Sequence, residues 1–96
     1  MTQLSRHGKT AREYWETYRP QALEALGSPE RQEAYFQELD LRVTEQIGTL
    51  TAELLQKLPM DQRGAARMTT RSQAQELVYA EEIWVEKEPG TEHREM

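Results

Sequence analysis

The sequence predicts an all-α fold: a three-helix bundle or hairpin with a proline-kinked first helix and a long second helix. Three observations carry this reading. Apolar residues recur at steps of three and four along most of the 96 residues, which is the repeat of a helix with one buried face. Gly27-Ser28-Pro29 and Leu58-Pro59 fall where one helix would end and the next begin. The one strand-like run, Glu82-Ile83-Trp84-Val85-Glu86, has no second run to pair with, so helix is preferred there too.

The first helix opens at Thr10. In Thr10-Ala11-Arg12-Glu13 the hydroxyl can accept from the Glu13 amide while the Glu13 carboxylate returns to the Thr10 amide. Ala11, Tyr14, Trp15, Tyr18, Ala22, Ala25 and Leu26 then share one face. Pro20 interrupts the ladder, since it has no N–H and disfavours the helical conformation of Arg19. The stripe keeps its phase across Pro20, so one kinked helix is favoured over two.

Gly27 suits the left-handed residue that closes a helix, Ser28 can cap the next, and Pro29 fits its first turn. The second helix is expected from Pro29 to Leu58, about 45 Å at 1.5 Å per residue. Phe36, Leu39, Val43, Ile47, Leu50 and Leu54 form its near-heptad seam, and Gly48 is its expected bend. A third helix, capped by Asp61, should run to Val85 or Lys87. The expected packing sets the seam against Tyr14, Trp15 and Leu77. The organisation is then a flexible stretch over 1–9, one helical domain over 10–87 and a disordered tail over 88–96.

Composition narrows the function. There is no cysteine, so disulfides, thiolate metal sites and cysteine nucleophiles are excluded. Met1 to Lys9 has no apolar run of the signal-peptide kind, and no stretch approaches a membrane span. A cytoplasmic protein is expected. The two histidines, His7 and His93, sit in segments expected to be solvated, and no glycine-rich phosphate loop exists. Neither an enzyme nor a cofactor or metal site is predicted.

Charge is the remaining signal. The net value is −5, but it comes in blocks, with acid over 28–56, base over 57–75 and acid again from Glu76 onward. Opposed blocks of this kind suit helices that meet one another or a patterned partner. Arg63, Arg67 and Arg71 stand at i, i+4 and i+8 and would repel unless something acidic meets them. The acidic second helix is the expected partner; an acidic protein or a phosphate backbone is the alternative. Glu38 with Arg42 and Glu53 with Lys57 are expected as ordinary i,i+4 pairs. Trp84 lies among Glu81, Glu82 and Glu86, with few apolar neighbours in sequence. An exposed Trp in that setting would anchor a protein interface.

In the short elements Arg12-Glu13-Tyr14, Tyr18-Arg19-Pro20, Glu38-Leu39-Asp40, Thr44-Glu45-Gln46-Ile47, Thr51-Ala52-Glu53-Leu54, Arg67-Met68, Glu76-Leu77-Val78 and Glu82-Ile83 the chain resembles the TnpV family of small transposon-encoded proteins. The resemblance spans roughly residues 7–85. It implies a mobile-element accessory protein and transfers no catalytic or ligand residue. The expected function is therefore binding to a protein of the nucleic-acid machinery, as an anti-CRISPR-type inhibitor would. The alternatives are a DNA- or RNA-binding regulator using Arg63, Arg67 and Arg71, and a structural homo-oligomer formed through the heptad seam.

Overall fold

A computed structural model describes residues 4–96. It is helical, and no strand forms among the described residues. Four helices follow in order: α1 (Arg6–Tyr18), α2 (Pro20–Ala25), α3 (Pro29–Gln56) and α4 (Met60–Glu82). The long pair, α3 and α4, is an antiparallel hairpin, with Arg42 meeting Glu82 at one end and Arg63 meeting Leu58 at the other. α1 packs on α3, and the Cα trace measures 49 × 34 × 15 Å. The protein is a flat slab.

α1 starts earlier than the Thr10 capping box predicts. Ser5 is its cap, accepting from the His7 amide at 3.3 Å. The Ser5 amide and hydroxyl in turn donate to the Asp40 carboxylate on α3. A polar pair distant in sequence thus extends the helix by a full turn. Of the expected flexible N-terminus, residues 1–3 lie outside the described residues, and Arg6–Lys9 are helical. α1 comes close to α3 at Gly8, where an added Cβ would stand 3.0 Å from Asp40 Cβ and 3.0 Å from Asp40 Oδ2.

At Pro20 the chain breaks instead of kinking. Arg19 takes φ −137°, ψ 49°, outside the helical region, and α2 begins with Pro20 in its first turn. The proposed tail over 88–96 is what makes this break tolerable. Glu88 donates its amide to Tyr18 O at 2.9 Å, and its carboxylate accepts from Gln21 N and Ala22 N at 3.0 and 2.8 Å. Thr91, only 4% exposed, shares its hydroxyl proton between Glu88 O at 2.7 Å and Tyr18 O at 3.1 Å. Arg94 donates to Thr17 O, and Tyr18 Oη donates to Arg94 O. The segment is a strap across α1 and α2, not a solvated tail.

The Gly27-Ser28-Pro29 punctuation forms as the sequence predicts. Gly27 has φ +107°, and the Ser28 hydroxyl accepts from Arg31 N. Gln32 reaches back to Leu23 O and Gly27 O, adding a side-chain donor to the carbonyls at the end of α2. α3 runs unbroken through Gly48. α4 begins at Met60, with Asp61 inside its first turn and not capping it. It stops at Glu82, short of the expected Val85.

The core holds Ala11, Tyr14, Trp15 and Tyr18 of α1, Phe36, Leu39, Val43 and Ile47 of α3, and Ala74, Val78, Tyr79 and Ile83. Trp15 meets Phe36 edge to face at 5.6 Å. The expected seam is right for its first four residues, but Leu50 and Leu54 are only partly buried and Thr51 is buried beside them. Leu77 is 55% exposed, because the buried face of α4 runs along Thr70, Ala74 and Val78, one residue to its side. Past Ile47 and before Ala74 the hairpin extends beyond α1, and its buried residues there are Thr51 and Thr70.

Two helix glycines separate packing from propensity. Gly48 has nothing within 4 Å of an added Cβ, so Gly48→Ala should gain the usual helix preference, about 0.5–1 kcal/mol. That is about 2–8 °C in melting temperature for a chain of this size. Gly8→Ala should show no such gain and should lower the melting point, because the methyl displaces the Asp40 side chain that holds Ser5. Thermal denaturation of both variants followed by circular dichroism checks the pair.

Candidate functional site

Ile83 is fully buried at the end of α4 and draws the chain inward. Its amide and that of Trp84 both donate to Tyr79 O at 2.8 Å, closing the helix. Trp84 is thereby turned outward. It is 45% exposed and rests on Tyr14 and Tyr79, with ring centroids 5.3 and 5.6 Å away. Tyr14 Oη donates to Val85 O at 2.5 Å, which fixes the turn. Beside Trp84 an open cavity of about 380 Å³ is lined by Tyr14, Tyr18, Lys87 and Met96.

The three carboxylates predicted around Trp84 go three ways. Glu82 is committed within the chain: Arg42 Nη2 lies 2.9 Å from its Oε2, and Gln46 donates to its other oxygen. The expected Glu38–Arg42 pair is therefore not made, since Arg42 turns across the hairpin to the less exposed acid. Arg12–Glu16 and Arg42–Glu82 are the ion pairs among the described residues, so Glu53–Lys57 is not formed either. Glu86 is exposed, and its backbone carbonyl accepts from Arg19.

Glu81 has the more informative position. With Glu45 and Glu53 of α3 it lines a groove of about 360 Å³ whose apolar residues are Leu50 and Val78. No cation stands within ion-pair distance of these three carboxylates among the described residues. This grouping was hidden in the sequence because it depends on the register of α4 against α3. The partial exposure of Leu50 follows from it, since Leu50 faces the groove.

The arginine row also divides. Arg63 donates to Leu58 O at 3.0 Å and Gln56 O at 3.2 Å. It closes the C-terminal end of α3, where a cation opposes the helix dipole. Arg67 and Arg71 are exposed and line an apolar groove of about 330 Å³ with Gly48, Ala52, Leu55 and Met68. The expected neutralisation by the acidic second helix does not occur, because α3 presents uncharged residues on that flank. The hairpin thus has one acidic flank and one basic flank.

A third cluster joins α1, α3 and α4. His7 Nδ1 and the Tyr79 hydroxyl share a hydrogen bond of 2.5 Å, so His7 is packed and not frayed. Asp40 is 8% exposed and is engaged by Ser5. The Ser5 hydroxyl donates to Asp40 directly, so no histidine stands between serine and carboxylate as a serine nucleophile requires. Among the described residues no three His, Asp or Glu side chains converge as a metal would need, and no helix is long and apolar enough to cross a membrane.

Compared with family models, with curated proteins and with solved structures, the chain matches none.

The His7 cluster predicts a pH dependence. Burial pushes the His7 pKa below its ordinary 6.5, and the Arg6 and Arg71 charges push the same way against the attraction of Asp40. Burial also raises the Tyr79 phenol, which stays neutral and able to donate. The unfolded chain then binds the imidazole proton more readily than the folded one. This contribution to stability is complete above pH 6.5 and is lost as pH falls from there through the lowered folded pKa. Urea denaturation of the wild type and His7→Gln at pH 7.5 and 5.5 should show a smaller loss on acidification in the variant.

Proposed function

We propose that this chain is a non-enzymatic binding protein that docks on a basic surface of a protein partner. The observation that carries the reading is the acidic flank. Glu45, Glu53 and Glu81 border a groove containing Leu50 and Val78, with no cation within ion-pair distance of them among the described residues. An acid-walled groove with apolar contacts suits a cationic, amphipathic segment. The carboxylates would speed encounter through long-range attraction, and the apolar contacts would govern release. Trp84 follows Glu81 by three residues, half exposed at the end of α4, and is the proposed anchor.

The class of partner comes from chemistry and from the TnpV-like elements together. Proteins with large basic surfaces are typically those that handle nucleic acid, and an accessory protein of a mobile element would act on such machinery. We therefore read the chain as a cytoplasmic regulator or inhibitor of a nucleic-acid enzyme, of which an anti-CRISPR-type nuclease inhibitor is an example. A second reading has its own observation. Arg67 and Arg71 are exposed, with no carboxylate within ion-pair distance among the described residues, and could contact phosphates of DNA or RNA. The loss of Arg63 to the end of α3 weakens that reading, since two cations remain from the predicted three.

Affinity capture from a host lysate, with and without nuclease treatment, separates the readings. The proposal predicts capture of a protein that survives nuclease treatment and is released by salt. Replacing Glu45, Glu53 and Glu81 together by Gln should slow association at least tenfold at low salt while leaving the helical signal intact. Trp84→Ala should shorten the lifetime of the complex. It should not unfold the protein, because two aromatic contacts at about 0.5–1.5 kcal/mol each are less than a domain's reserve. Capture that disappears with nuclease, together with loss of binding in Arg67→Ala, would favour the phosphate reading.

A further inference from the structure

We propose that the cavity between Tyr14, Tyr18 and Trp84 is a lysine-binding clamp, whose Tyr18 ring face is covered by Lys87 until a lysine side chain of the partner takes its place. The Lys87 ammonium stands 4.0 Å from the centroid of the Tyr18 ring. A cation on the face of an aromatic ring is attracted by the ring quadrupole, and the walls are aromatic too. Tyr14 lies 4.9 Å from Tyr18 and 5.3 Å from Trp84 between ring centroids, tilted by 49° and 59°. The cavity beside Lys87 is about 380 Å³ and open to solvent, with Met96 at its edge.

The clamp is rigid where it must be. Tyr14 donates its hydroxyl proton to Val85 O and Tyr18 donates to Arg94 O, so both phenols are tied to the chain that follows α4 and their ring planes are fixed. Both rings are otherwise buried, at 4% and 8% exposure, while Trp84 is 45% exposed and forms the rim. Lys87 is held loosely by comparison. No carboxylate lies within ion-pair distance of it among the described residues, and its residue is exposed. A solvent-facing cation over a ring shifts an equilibrium by only about two- to fivefold. Lys87 is therefore an exchangeable occupant, and it shows which chemistry the cavity accepts.

The inference rests on the reading of a basic protein partner and adds where one of its lysines would go. Glu81 of the acidic groove and Trp84 of the clamp are separated by three residues, so a single basic segment could reach both. The partner's ammonium would replace that of Lys87 over Tyr18, and its aliphatic stem would lie along Trp84 and Met96.

The test uses the full chain and no partner, so its outcome is independent of the lysate capture. N-acetyl-lysine methylamide is titrated into the isotope-labelled protein, with the neutral N-acetyl-norleucine methylamide as control. The Trp84 indole N–H and the Met96 methyl are followed by NMR. The lysine compound should move both signals and the norleucine compound should move neither. Lys87→Gln empties the ring face without touching the core, and should lower the half-saturating lysine concentration by about two- to fivefold. The proposal is overturned if the two compounds act alike, if neither moves the signals, or if Lys87→Gln leaves the half-saturation point where it was.

Discussion

The break at Pro20 is the constraint on which the rest of this structure depends. In an unbroken helix the amides of Gln21 and Ala22 would bond to the carbonyls of Thr17 and Tyr18, four residues earlier. Pro20 and the non-helical Arg19 pull those groups apart. The C-terminal strap then supplies a partner to each. Arg94 takes the Thr17 carbonyl, the Glu88 amide and the Thr91 hydroxyl take that of Tyr18, and the Glu88 carboxylate takes both amides. A buried backbone group left without a partner costs roughly 1–3 kcal/mol; the Tyr18 carbonyl is the buried one here and the Ala22 amide is partly buried, so the break and the strap are two halves of one feature. A negative carboxylate at the start of α2 is also where the helix dipole favours one.

Much of the surface follows from where the strap must lie. To reach Tyr18 it must leave α4 at Glu82 and turn at once, which buries Ile83 and turns Trp84 outward. It then carries Lys87 over the Tyr18 ring and brings Met96 to the edge of the same cavity. Meanwhile α1 is pinned at its other end by Ser5 and Asp40, so it covers α3 as far as Ile47 and no further. The outer half of the hairpin is left with open flanks, one acidic and one basic.

Local rules recovered the parts of the fold that are local. The Gly27-Ser28-Pro29 turn, the long α3 and the buried Phe36, Leu39, Val43 and Ile47 were all legible, because turn chemistry and helical period act within a few residues. What escaped was set by distant contacts. Ser5 outcompetes Thr10 as a cap because Asp40, 35 residues away, holds it. Tyr79 enters the core in place of Leu77 because His7 satisfies its hydroxyl. The tail looked solvated because its residues are polar, yet they are polar in order to meet the groups freed at Pro20. The candidate site shows the same division. The exposure of Trp84 was legible from its polar neighbours in sequence, whereas the Glu45–Glu53–Glu81 groove needed the register of the hairpin.

Amide hydrogen exchange in Glu88→Ala tests this account most directly. The Gln21 and Ala22 amides should exchange about 10–100-fold faster than in the wild type, as expected when a hydrogen bond to a charged acceptor is lost. The Val43 and Ile47 amides, which lie within α3 and make no bond to Glu88, should change much less. Unchanged protection at Gln21 and Ala22, or equal acceleration at all four amides, would contradict the claim that the strap closes the break at Pro20.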